Sequence, residues 1–379
     1  MKPLRIGFIP LVDAAIAITA VECGFAEQEG LEIELVREVS WANIRDKLTS
    51  EIFDAAHMLA PLSIASSLGL GGQTRMPFAV PFGLNANGNC ITLAASLYRT
   101  VQDITGQEIP DPVASAKAVR AIIQQRKRLG LPPLNFGVVF PFSIHAILIR
   151  YWLKLGGIDV NSDVQFLVVP PPFMVENLTS GAIDGYCVGE PWNSRAVESG
   201  AGSIVVFGSE LNRFAPDKVL VLREPLVKDE GETVLKLLRA YKAAAGWCGD
   251  PANRTNLSQI LSRSDYLNVS PKTILNSLSG VLPVNRTESR KDGDFLILDD
   301  HQVNCPDPRR ACWLYTEVKQ LLGQAPDAAE MRAAAAVFRP DLYTAAVGPR
   351  NYFGPDDPVQ LKFGPSLNQS LDEYIAAAR

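Results

Sequence analysis

Strand-like and helix-like segments alternate along the first half of this chain, and this pattern constrains the fold more than any other feature. Apolar or alternating runs typical of strands occupy residues 4–9, 31–37, 135–140, 164–169 and 184–188. Helix-like segments follow most of them. Such alternation predicts mostly parallel sheets flanked by helices. After about residue 224 the sequence becomes largely helical.

Polar residues mark the starts of three predicted helices. Asp13 is expected to cap a helix over about 14–23 and Ser40 a helix over 41–49, and a third helix is expected over 143–155, before two glycines. Such side chains accept hydrogen bonds from the free N–H groups of a first helical turn.

The chain has 379 residues, too many for one compact core, which favours two lobes. Two stretches are typical of crossings between lobes: residues 82–90, rich in glycine and asparagine, and about 200–218. These crossings predict a first lobe of residues 1–85 plus 210–379 and a second lobe of residues 86–209. A ligand is then expected in the cleft between them.

Composition argues against several classes of protein. The net charge is −5 and no lysine- or arginine-rich run is extensive enough to coat a phosphate backbone, so direct nucleic-acid binding is not expected. No run reaches the ~20 apolar residues of a membrane-spanning helix. The six cysteines form no CxxC pair and only three histidines are present, which favours reduced thiols over a zinc site or a disulfide framework. We predict no metal and no cofactor.

Enzymatic signatures are weak. Cys187 and His145 could form a nucleophile–base pair, but no orienting third group or oxyanion motif accompanies them. The glycines at 69, 71 and 72 lack the preceding strand and the lysine of a phosphate-binding loop. We therefore do not expect an enzyme.

Several short motifs occur in a characteristic order: IGFIPLVDAA from residue 6, SWANIRD from 40, AAHMLAP from 55, VVPPP from 168 and CVGEPWN from 187. In this order and spacing they resemble the nitrate- and bicarbonate-binding components of cyanobacterial-type ABC importers. They are most similar to a cytoplasmic relative of those components, the NasS-type nitrate/nitrite sensor. The resemblance covers most of the chain, although each motif alone is modest.

The resemblance implies a two-lobed, periplasmic-binding-protein-like type II α/β fold with a ligand cleft between the lobes. It further implies a small oxyanion ligand, nitrate or nitrite, and control of a NasT-type (ANTAR) RNA-binding antiterminator.

The apolar run of residues 11–20 is interrupted by Asp13, so we interpret it as a helix and not an export signal. If Met1 is the native start, a cytoplasmic location is expected. The alternative function is the substrate-binding subunit of a nitrate, nitrite or bicarbonate ABC importer.

A buried planar monoanion needs a cation and several hydrogen-bond donors. The resemblance implies that Lys218 is the pocket lysine of the family, whereas the sequence alone favours a surface lysine paired with Asp217. His145, near a helix start, is the second expected ligand; the alternative is a buried histidine bonded to a carbonyl.

Trp41 offers an indole donor or a core ring, and Gly189 offers a bare backbone N–H or a simple turn. At Asn89 the importer subunits carry glutamine, so the shorter asparagine could alter ligand preference. These five residues form the expected ligand set. Asp13 is expected to act only as a helix cap, and His57 and Glu190 are expected to be structural.

Overall fold

The computed structural model describes residues 3–212, 214–349 and 370–377. In chain order its strands are β1 (Leu4–Phe8), β2 (Ile33–Arg37), β3 (Ala55–Leu59), β4 (Phe78–Asn87), β5 (Asn89–Ala94), β6 (Leu134–Val138), β7 (Val164–Val168), β8 (Gly185–Gly189), β9 (Gly202–Phe207), β10 (Pro216–Arg223), β11 (Val281–Pro283), β12 (Ser289–Lys291) and β13 (Leu296–Ile297).

The α-helices, again in chain order, are α1 (Ala15–Glu22), α2 (Phe25–Gln28), α3 (Trp41–Thr49), α4 (Ala60–Leu68), α5 (Ala95–Thr105), α6 (Pro112–Arg128), α7 (Ile144–Leu155), α8 (Met174–Thr179), α9 (Trp192–Ser199), α10 (Gly208–Leu211), α11 (Glu224–Asp229), α12 (Gly231–Gly249), α13 (Arg254–Ser262), α14 (Pro271–Ser279), α15 (His301–Asn304), α16 (Pro308–Leu321), α17 (Ala328–Val337), α18 (Pro340–Val347) and α19 (Leu371–Ala377).

Two mixed sheets organise the molecule. The first has the strand order β13-β4-β10-β3-β1-β2, and the second has the order β7-β6-β8-β5-β9. β1 runs parallel to β2 and β3, and β6 runs parallel to β7 and β8. The predicted α/β arrangement of sheets and helices is therefore confirmed, but the prediction of mostly parallel sheets is wrong, because five of the nine strand pairs in these two sheets are antiparallel. β10 is antiparallel to both of its neighbours, β3 and β4, so late sequence completes the first sheet.

The C-terminal helices cover the first sheet. α12 packs against α1, and α16 packs against α4, two helices that connect strands of that sheet. β9, the last strand of the second sheet, ends at Phe207, and β10 begins at Pro216. The chain thus returns from the second sheet to the first over about residues 208–215.

One predicted crossing is shorter than the sequence suggested. Residues 82–87 belong to β4, a ten-residue buried strand, so Gly88 alone separates the two sheets at this point. Glycine and asparagine disfavour strands by propensity, but a close contact explains Gly83. A Cβ atom there would lie 2.0 Å from the carbonyl oxygen of Val303. Packing against α15 therefore selects glycine inside this strand.

Helix capping follows the sequence at one of the two predicted positions, Ser40, and a further serine caps α7. Ser40 accepts a hydrogen bond from the N–H of Asn43 at 3.2 Å, and Ser143 accepts one from Ala146 at 3.1 Å. The prediction that Asp13 caps α1 is wrong: Asp13 lies in a 3₁₀ turn, Val12–Ala14, and no side chain caps either helix there. Its carboxylate instead points toward β10.

Candidate functional site

A buried ion cluster lies where the two sheets meet. The Nζ atom of Lys218 is 2.8 Å from an oxygen of Asp13 and 2.6 Å from an oxygen of Asp217. The side chain of Lys218 is 0% exposed and both carboxylates are buried. The surface location that the sequence allowed for Lys218 is therefore wrong, although its pairing with Asp217 is present.

Irregular strand pairing positions this lysine. Lys218 pairs with Leu59 on β3 and with Asn85 on β4, and the β4–β10 register shifts on both sides of it. Its backbone N–H donates to the side-chain oxygen of Asn85 at 3.1 Å. Such irregularities bend a strand and redirect its side chains, which here places two consecutive charged residues in one cluster.

Electrostatics fixes the charge state of the Asp13–Lys218 ion pair. Burial would raise the pKa of Asp13, but the Lys218 charge and the hydrogen bond from His57 outweigh it and lower that pKa to about 2. Burial would lower the pKa of Lys218, but Asp13 and Asp217 outweigh it and raise that pKa. Both residues are therefore charged at neutral pH.

His57 supports the cluster from β3. Its Nδ1 accepts the N–H of Ile9 at 3.4 Å, and its Nε2 lies 2.8 Å from the other oxygen of Asp13. A ring whose Nδ1 accepts must carry its proton on Nε2, so His57 is neutral and donates to Asp13. This arrangement agrees with the structural role expected of His57.

Trp41, the first residue of α3, closes one side of the cluster. Lys218 Nζ lies 5.6 Å from the indole centroid, and the His57 ring lies 5.3 Å from it. Among the described residues, the indole N–H of Trp41 has no hydrogen-bond partner although it is buried. A buried donor without an acceptor is costly and is a group that a ligand can satisfy.

His145, the second residue of α7, lies beside Asp217. Its Nε2 is 3.8 Å from an oxygen of Asp217, beyond hydrogen-bonding distance. Neither ring nitrogen has a hydrogen-bond partner in the described part of the chain. Burial lowers the pKa of His145 to about 4, against the opposing attraction of Asp217. The imidazole is thus neutral and can donate to a ligand.

Asn89 and Gly189 complete the expected set from the second sheet, where they are directly paired in the β5–β8 register. The amide nitrogen of Asn89 donates to Asp217 at 3.4 Å. A Cβ atom on Gly189 would stand 3.1 Å from an oxygen of Asp13. Glycine therefore keeps the backbone of β8 open toward the cluster.

The structure brings all five expected residues together around one lysine, with donors from both sheets. α3 begins at Trp41 and α7 one residue before His145, so the positive ends of two helix dipoles lie near the cluster. The sequence analysis missed the central place of the two carboxylates. One signal was available: Asp13 interrupts an apolar run, and a buried carboxylate requires a cation.

Glu190 lies next to this cluster. Its backbone carbonyl accepts the N–H of Val12 at 2.9 Å and so joins the two sheets, while its Oε2 accepts the N–H of Ser194 at 3.3 Å. Burial raises its pKa to about 7, only partly offset by hydrogen bonds from Ser194. This geometry fits the structural role expected for the residue.

The described residues offer little support for other types of site. In residues 3–212, 214–349 and 370–377, no group of three or more histidine, cysteine or acidic side chains has metal-binding geometry. The six cysteines are free thiols, five of them buried. Of the helices in these same ranges, none combines the length and apolar character needed to traverse a bilayer.

Two α/β sheets, joined by short crossings and enclosing polar side chains where they meet, define a two-lobed fold of the periplasmic-binding-protein type. The chain belongs to the NMT1-like family, whose model matches residues 1–262. The prediction of this fold and of the broader binding-protein family is confirmed.

Proteins with named functions are similar in sequence to most of this chain. It is 34% identical over 326 residues to the nitrate/nitrite binding protein NrtA of Synechococcus elongatus, covering 84% of this chain and 71% of that protein. It is also 34% identical to the nitrate import ATP-binding protein NrtC of Synechocystis, with 83% of this chain but only 45% of the relative covered. The chain thus spans less than half the length of that relative.

A solved structure agrees over the whole length. The periplasmic nitrate-binding protein NrtA from Synechocystis superimposes with a TM-score of 0.85 at 25% identity, covering 100% of this chain and 99% of that one. An alkanesulfonate-binding protein from Xanthomonas, with a TM-score of 0.57 and 13% identity, shares the fold alone.

Proposed function

We propose that this protein is the substrate-binding component of an ABC importer and holds nitrate or nitrite between its two lobes. The observation that carries the proposal is the unpartnered set of buried donors around Lys218. The indole N–H of Trp41 and the ring of His145 have no partner among the described residues. Burying such donors without an acceptor costs about 1–3 kcal/mol each, a cost that a bound oxyanion would remove.

Similarity to nitrate- and nitrite-binding relatives supports the importer function over the sensor function. The NasS-type sensor, its NasT-type antiterminator and the cytoplasmic location rest on the sequence resemblance. They stay predictions. That the protein is not an enzyme also stays a prediction, supported by the binding function of its relatives.

Isothermal titration calorimetry with nitrate, nitrite, bicarbonate and chloride tests the proposal. We expect nitrate or nitrite to bind once per chain, and chloride, which is spherical and lacks three planar acceptors, to bind far more weakly. A folded protein that binds neither nitrate nor nitrite overturns the proposal.

A second experiment separates the importer from the sensor. The chain is mixed with a purified NasT-type antiterminator, with and without nitrate, and examined by size-exclusion chromatography. Two separate peaks in both samples are expected for an importer component. A complex that nitrate dissociates would instead establish the sensor.

A further inference from the structure

The charges around the candidate site do not favour an anion by themselves. Lys218 contributes one positive charge, and Asp13 and Asp217 contribute two negative charges in direct contact with it. His57 is held neutral by its two hydrogen bonds. The N-termini of α3 and α7 add roughly half a positive charge each. The free cluster therefore carries about no net charge.

Adding a monoanion leaves one negative charge uncompensated in a buried crevice, and adding a dianion leaves two. A unit charge about 4 Å away, at an effective dielectric constant of about 20, changes an equilibrium roughly a thousandfold. A dianion, which adds a second uncompensated charge, therefore binds with a large energetic penalty. Even the single charge of a monoanion favours the uptake of a proton by the site.

His145 is the group placed to take that proton. Its ring nitrogens have no hydrogen-bond partner within the described ranges, and Nε2 lies 3.8 Å from Asp217. The ionised groups that act on it are Asp217 and Lys218 on β10 and Asp13 in the 3₁₀ turn. Cys187 on β8 interacts with the same two β10 charges, and burial keeps the pKa of its thiol well above the usual range, so it stays neutral.

We propose that Asp13 and Asp217 are specificity-determining residues that cancel the charge of Lys218, so that the site admits a monoanion only together with a proton on His145 and rejects dianions. This inference rests on the proposed function and adds the rule by which the site selects ligand charge. The proton moves from solvent to a ring nitrogen of His145, and no other bond changes.

Linkage fixes the direction of the pH effect. The free protein carries a neutral His145 above about pH 4, and the bound anion shifts the same ring toward the imidazolium form. Between about pH 4 and the higher pKa that this ring has in the complex, binding takes up one proton. The affinity for the anion therefore falls about tenfold for each pH unit of increase. At higher pH, where the complex no longer holds the proton, affinity becomes independent of pH.

The test is calorimetry on the full chain with sodium nitrate and sodium sulfate, from pH 5.5 to 8, in two buffers of different ionisation enthalpy. For the wild type we expect up to one proton taken up per nitrate, the pH slope described above, and no sulfate binding. Wild type that binds nitrate with no proton uptake and no pH slope overturns this inference alone. Wild type that binds neither nitrate nor nitrite overturns the proposed function with it.

Asp217→Asn removes one carboxylate while keeping the shape, and an oxygen of Asp217 already lacks a hydrogen-bond partner among the described residues. We expect tighter nitrate binding at pH 8, a smaller proton uptake, and measurable sulfate binding. Asp54→Asn is the matched control, because Asp54 pairs with Arg223 at the other end of β10; it should keep the wild-type pH profile. A folded Asp217→Asn protein that retains that profile and still rejects sulfate contradicts the inference.

His145→Gln gives a second test, should Asp217→Asn fail to fold. Glutamine retains a donor but cannot take a proton near neutral pH. Any nitrate binding that remains should be independent of pH from 5.5 to 8. If His145→Gln keeps the full wild-type pH dependence of nitrate affinity, the proton binds to another group and the role of His145 is overturned.

Discussion

Replacing Glu190 by glutamine should make the protein more stable at neutral and alkaline pH. Glu190 is buried, its Oε2 accepts a hydrogen bond from Ser194, and its Oε1 has no hydrogen-bond partner within the described residues. Burial raises its pKa from 4.5 to about 7. The fold therefore favours the protonated acid, which glutamine resembles in shape and charge.

The magnitude follows from linkage. Below pH 4.5 the carboxyl group is protonated in both the folded and the unfolded chain, and its contribution to stability is fully present. As the pH rises to about 7 the unfolded chain ionises first, and that contribution is lost. At about 1.4 kcal/mol per pKa unit, the loss is roughly 3 kcal/mol.

Urea unfolding from pH 4 to pH 8 measures this loss as the difference between wild type and Glu190→Gln. The difference is needed because His145 acts oppositely: its pKa, lowered to about 4 by burial, removes stability as the pH falls from 6.5. Subtraction cancels that contribution. We expect the variant to gain stability relative to wild type as the pH rises from 4.5 to 7.

The exposed Glu27, changed to glutamine, is the control and should give a flat difference. A flat difference for Glu190→Gln as well would refute the argument.

Three further changes probe the candidate site. Trp41→Phe keeps a ring but removes the unpartnered N–H, so calorimetry should report nitrate affinity weakened by about 1.5–3 kcal/mol; Trp313→Phe, whose N–H bonds to Glu317, should leave affinity unchanged. Lys218→Met leaves two buried carboxylates without a cation and should lower the unfolding free energy at pH 7 by about 3–5 kcal/mol in urea titrations. Gly189→Ala should fold normally by circular dichroism yet lose at least about tenfold in affinity, because its methyl group would stand 3.1 Å from Asp13.

The local fold was largely predictable from the sequence. The expected strand over residues 164–169 is β7 (Val164–Val168), and the expected helix over 41–49 is α3 (Trp41–Thr49). Hydrophobic periodicity and serine caps are local signals, so they survive in the folded chain. β4 was partly missed, because contact with α15, over two hundred residues away, overrides the low strand propensity of its glycine and asparagines.

The five ligand candidates came from family resemblance, and the structure places them together. What the sequence could not reveal was their charge environment. Asp13 was interpreted as a helix cap and Asp217 as the partner of a surface lysine, and both interpretations use only neighbouring residues. The buried Asp13–Lys218 contact instead joins residues 205 positions apart. No period or spacing encodes such a contact. It follows only from the strand order that places β10 beside β3 and near the end of β1.

The single residue between β4 and β5 has a mechanical consequence. Asn89 directly follows Gly88, whose φ is +82°, and Lys218 lies two residues beyond the start of β10, where the other connection ends. The groups expected to hold the anion therefore sit close to the axis about which the lobes would turn. Near a pivot, small displacements of a few atoms correspond to large displacements at the rim. An ion of four atoms could thus move distant surfaces by amounts that a permease or a regulatory partner would sense.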